Sequence, residues 1–97
     1  MNYHEAELMI ETNSHLVDQT YKGKTIDKLI IVPARQKQIM KILSNLSLNL
    51  SSRKIYEQYS DFEIVAILDY EMWLWTGVLY KATLNEILET QTDKERT

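Results

Sequence analysis

His4, Glu11, His15 and Asp18 fall on one side of a segment with helical periodicity, and Glu11 and His15 stand four residues apart. Two imidazoles and a carboxylate are a donor set that zinc accepts. His4 and His15, however, are eleven residues apart, which is roughly 16 Å along a helix, so one ion cannot take both. These side chains read as a solvated polar face. Hydroxyl chemistry is no better supplied. A nucleophilic Ser or Thr needs a positioned base, and the two His of the chain both lie on that outer face. Cysteine is absent, which removes thiol nucleophiles, thiolate metal sites and disulfides together. There is no Gly-rich phosphate loop and no dinucleotide fingerprint. The residues argue against an enzyme, and they imply no metal, no cofactor and no small-molecule substrate.

Charge is more informative. Residues 1–27 hold Glu5, Glu7, Glu11, Asp18 and Asp27 against Lys22 and Lys24. Residues 57–97 hold nine acids against Lys81, Lys94 and Arg96. Between them, 28–56 hold Lys28, Arg35, Lys37, Lys41, Arg53 and Lys54 against no acid at all. The net charge of −3 thus hides a basic middle between two acidic flanks. Arg35 and Lys37 follow Pro33 at the expected start of a helix, where unpaired amides make a plausible anion site. With Lys41, Arg53 and Lys54 they are the candidate anion- or phosphate-binding residues. Those anions could be nucleic-acid phosphates, a partner's carboxylates or the acidic flanks of the same chain.

The aromatic residues form the second cluster. Tyr56, Tyr59, Phe62, Tyr70, Trp73, Trp75 and Tyr80 are seven of the nine in the chain. Rings interleaved with cations stack on bases, but Lys81 is the only basic residue from 55 to 93. Core packing and a protein-binding surface therefore fit better, since Trp and Tyr are favoured at interface hot spots. Tyr70, Trp73, Trp75 and Tyr80 are the candidate partner-binding residues. The stretch "LSSRKIYEQYSDFEIVAIL" has the rhythm of a helix-turn-helix. Its second helix would carry Glu63, Asp69 and Glu71, which phosphates repel, so it fails as a groove reader.

These residues need elements to hold them. Tyr3, Ala6, Met9, Ile10, Leu16 and Val17 gather on one side of a helix over 3–17. Gly23 between lysines marks a turn, giving a hairpin with strands near 18–22 and 26–32. Pro33 ends the second strand and opens a helix over 34–46, and Ser51 or Ser52 can cap another at 52–59. In 62–68, Phe62, Ile64, Ala66 and Leu68 line one face of a strand while Val65 and Ile67 line the other, the pattern of a strand covered on both sides. A fourth strand is expected over 73–81 with a bulge at Gly77, placing Trp73 and Trp75 on one face of an exposed edge. Thr83 and Glu86 form a capping box for a helix over 83–90.

The expected architecture is α+β: a mostly antiparallel four-stranded sheet with helices packed on it. An all-helical bundle, with 61–76 and 78–90 both helical, is the alternative. Ninety-seven residues suit one domain, taken as 1–91 with a frayed charged tail at 92–97. No apolar run approaches a membrane span, and a cysteine-free chain suits a reducing cytoplasm. The functional expectation is a small interaction or regulatory protein that binds another protein or itself, of the kind frequent among bacterial and phage accessory proteins. The alternative is a nucleic-acid-associated protein working through the basic middle.

Overall fold

The structure is a computed structural model that describes residues 1–35, 57 and 59–95. Among these, the order is helix α1 (Tyr3–Thr12), a 3-10 turn (Ser14–Leu16), strands β1 (Thr20–Tyr21) and β2 (Lys24–Pro33), strand β3 (Phe62–Leu68), helix α2 (Tyr70–Thr76), strand β4 (Tyr80–Thr83) and helix α3 (Leu84–Glu95). The strands form one four-stranded antiparallel sheet in the order β1-β2-β3-β4. The α+β class expected from the sequence is the class observed.

The hairpin between β1 and β2 closes on Lys22 and Gly23, whose φ angles are 49° and 79°. A two-residue loop with both central residues left-handed is the turn whose twist matches that of the flanking strands. Gly23 takes that conformation at no steric cost, which is why the short loop forms here. Four residues past Gly23, at Asp27, the register of β2 against β3 slips. Ile26 pairs with Leu68 and Lys28 with Ile67, so Asp27 is an extra residue without an opposite number. It is a bulge, and its carboxylate is put to use below.

Strand β3 is the centre of the molecule. Phe62, Ile64, Val65, Ala66, Ile67 and Leu68 are all buried, so both of its faces are covered as the doubly apolar pattern requires. Leu16, Ile26, Val32 and Ile87 complete the best-buried part of the core. The ring of Tyr3 meets that of Phe62 edge-on at 5.6 Å, docking α1 onto the sheet. Beyond Val65 the paired region of β4 ends. There the N-terminal residue continues the edge: Phe62 donates its N–H to the Met1 carbonyl at 2.8 Å, and the Met1 ammonium sits 2.7 Å from Asp61 Oδ1.

Several boundaries differ from the sequence expectation. Helix α1 stops at Thr12 rather than 17. The buried Asn13 caps it and donates its side-chain N–H to the Met9 carbonyl at 2.8 Å, a local bond that competes with helix continuation. The expected faces survive this break: Ala6 and Leu16 are buried, and His4, Glu7, Glu11, His15 and Asp18 are exposed. Its N-terminal capping box pairs Asn2 with Glu5 at the Asn-x-x-Glu spacing. Pro33 does not open a helix. It pairs with Phe62 as the last residue of β2, and Ala34–Arg35 form a turn with Arg35 at φ 69°. The remainder of the expected 34–46 helix lies outside the described residues. So does most of the 52–59 helix, of which Glu57 is in a turn and Tyr59 is not helical. Helix α3 runs to Glu95, past the expected end at 90. Its capping box is present as expected, with Thr83 Oγ1 and Glu86 Oε2 each accepting the other's backbone N–H.

The largest correction concerns 73–81. No strand runs through it. Residues 70–76 are helical, and only Tyr80–Thr83 pair with β3. Asp69 turns out of β3 in a left-handed conformation, φ 47°. Gly77 is not a bulge but the left-handed C-cap of α2, donating its N–H to the Trp73 carbonyl at 2.7 Å.

Candidate functional site

Helix α2 is positioned by β2. Thr25 and Asp69 exchange hydrogen bonds, the Asp69 N–H to the Thr25 carbonyl and the Thr25 N–H to Asp69 Oδ1, both at 2.8 Å. The bulged Asp27 then accepts the N–H of Tyr70 on its carboxylate. An anion at the first turn of a helix satisfies an otherwise unpaired donor and complements the helix dipole. The bulge in one strand thus supplies the N-terminal cap of a helix 43 residues further along the chain.

Held in this way, α2 buries none of its residues. Met72 is 53% exposed, Leu74 61% and Trp75 87%, and Val78 in the following turn is 50% exposed. An open groove of about 530 Å³ runs beside it, lined by Thr25, Asp27, Asp69, Glu71, Met72 and Trp75.

The four aromatic residues singled out from the sequence do not form one face. Helical geometry sets Trp73 and Trp75 about 200° apart, where a strand would have put them side by side. Trp75 projects outward. Trp73 is half-buried with its ring 5.5 Å from that of Tyr70. Tyr70 and Tyr80 are also half-buried, and each carries a lysine over its ring: Lys28 Nζ lies 4.0 Å from the Tyr70 centroid and Lys24 Nζ 3.6 Å from that of Tyr80. Such cation–π contacts are worth roughly 0.5–1 kcal/mol at exposed sites. Met72, Leu74, Val78, Glu71 and Asp27 were missed. The signal for them was present: "DYEM" is a poor turn but a good helix start, and Gly77 follows seven helix-compatible residues.

Of the candidate anion-binding residues, Arg35 is described, and it is exposed. Lys37, Lys41, Arg53 and Lys54 lie outside the described residues. Asp61 is close enough to feel Arg35. Its carboxyl is held below the usual range first by the hydrogen bond from the Met1 ammonium, then by that group's charge, with a further contribution from Arg35. The same hydrogen bond raises the Met1 ammonium above its ordinary value. Among the described residues, no group of three His, Cys, Asp or Glu side chains could hold a metal ion. No helix among them is long and apolar enough to cross a membrane.

No family model matches the chain, and no curated protein or solved structure matches it either. The surface beside α2 therefore has to be interpreted from its own chemistry.

Proposed function

We propose that this protein acts by binding another protein, without catalysis, through the apolar surface of α2 and the turn behind it. The observation that carries the reading is the 87% exposure of Trp75. An aromatic side chain of this size can remove on the order of 150–250 Å² from water. At about 25 cal/mol per Å² of apolar surface, leaving it outside forgoes several kcal/mol that a core position would have gained. Leu74, Met72 and Val78 extend the exposed apolar surface around it, and contiguous patches of this kind mark interaction sites. Tyr70, Trp73 and Tyr80 are half-buried and offer less of their rings to a partner. Interface hot spots are commonly built around a Trp anchor.

The test is affinity capture with the wild-type chain and with Leu74→Gln/Trp75→Gln, quantified protein by protein. A partner held by the wild type and lost by the folded double variant is the expected result. Identical captured sets would sink the reading. A polynucleotide retained by both chains would move the function to the basic segment instead.

A further inference from the structure

The groove beside α2 has a sign as well as a shape. Three of its six lining residues, Asp27, Asp69 and Glu71, are carboxylates, and no cation lines it among the described residues. Asp27 and Asp69 each commit an oxygen to a backbone N–H of Tyr70 or Thr25, which fixes their position while their charge stays at the groove. Glu71 is exposed on the first turn of α2. Of the lysines close by, Lys28 lies over Tyr70, and Lys24 lies over Tyr80 and pairs with Asp69, its Nζ 3.9 Å from Oδ2. Asp27 and Glu71 are left without a salt-bridge partner among the described residues. Beside the carboxylates stand the exposed indole of Trp75 and the Met72 side chain. An indole face attracts cations through its quadrupole, and Met adapts to irregular apolar partners. An acidic or neutral partner would leave these charges facing a like charge or nothing.

We infer that this groove receives a cationic amphipathic protein segment, its apolar side chains against Trp75 and Met72 and its Lys or Arg side chains facing Asp27 and Glu71. The inference deepens the interaction reading above and rests on it. Because the carboxylates lie at an open rim, they act mainly on partner choice and salt dependence, while the apolar contact supplies the anchor.

The test uses fluorescence anisotropy of three labelled amphipathic model peptides that share one Leu face and carry Lys, Gln or Glu at every polar position. The Lys peptide should bind at least about tenfold more tightly than the Gln peptide, weaken as salt rises, and lose its binding to Trp75→Gln. The Glu peptide should not bind. Glu71→Lys should weaken the Lys peptide about tenfold. Glu89→Lys, an equal charge change at an exposed position of α3, should leave it unchanged. Equal weakening by the two charge variants would assign the effect to overall charge and overturn the inference. Trp75-dependent binding of all three peptides alike would overturn the cationic preference yet keep the docking surface. Binding that ignores Trp75 overturns the groove as the site, and the capture experiment then judges the wider reading on its own. Sedimentation velocity adds the last outcome: a wild-type dimer that Trp75→Gln disperses would make the occupant a second copy and overturn the inference.

Discussion

Strand β3 and helix α2 are seven residues each and adjacent in the chain, with Asp69 alone between them. Both are rich in large apolar side chains, "FEIVAIL" and "YEMWLWT". Yet six of the seven β3 residues are buried, and none of α2 is. Apolar content therefore does not decide burial here. What differs is the backbone. An extended strand between two paired neighbours can be covered on both faces, whereas a short helix emerging at the sheet's end has only one side to rest on. The β3 side chains answer to the fold, and those of α2 are free to answer to something else.

That contrast can be broken most severely in β3. Val65 is 3% exposed, and Val65→Asp would bury a carboxylate with no partner, at a cost of several kcal/mol against a total stability of about 5–15. Circular dichroism should show an unfolded chain at 25 °C, and a cooperative melt like the wild type's would mean that β3 is open on one side. A middling effect is expected from Asp27→Ala, which strips the cap from α2. Urea titration should report a loss of about 1–2 kcal/mol, with no loss expected if the helix stands without β2.

A smaller effect belongs to the Met1–Asp61 pair beside the start of β3. The ammonium is raised above its ordinary 8.0, so its contribution is complete below that pH and fades as pH climbs through the raised value. Asp61 is lowered from 3.8, so its contribution is complete above 3.8 and fades as pH falls through the lowered value. Stability should therefore show a shallow shoulder at each end of a flat range between them. Asp61→Asn should flatten both shoulders in a pH series of thermal melts. The smallest change in stability is expected at the most exposed residue. Trp75→Gln should alter the unfolding free energy by no more than about 0.5 kcal/mol. It should also remove most of the acrylamide-quenchable indole emission, because Trp73 is half-buried. Unchanged quenching would mean that the two indoles had been assigned the wrong way round.

The two regions also differ in how far the sequence revealed them. The bounds of β3 were legible to the residue, because Phe62 through Leu68 carry no polar side chain except Glu63 and are rich in β-branched residues, which favours a covered strand over the helix of the all-helical alternative. The capping box at Thr83 and Glu86 and the turn at Gly23 were legible for the same reason: each is a local bond that needs nothing distant. α2 was legible only in part: "DYEM" and Gly77 are local helix signals, but its start also depends on Asp27, a residue 43 positions away, and no local periodicity reports a cap supplied across a sheet. Reading 73–81 as a strand placed Trp73 and Trp75 together. The helix parts them instead, and Trp75 alone of the four aromatics stands fully outward.

The bonds that tie Thr25 to Asp69 and Asp27 to Tyr70 also set the tempo of this surface. A seven-residue helix is too short to persist by itself in water, so α2 exists only while the hairpin beneath it is intact. Its amides should exchange with deuterium at the same rate as those of Thr25 and Asp69, as one cooperative unit. A partner gripping Trp75 would then slow exchange in β2 as well, carrying news of its arrival into the sheet.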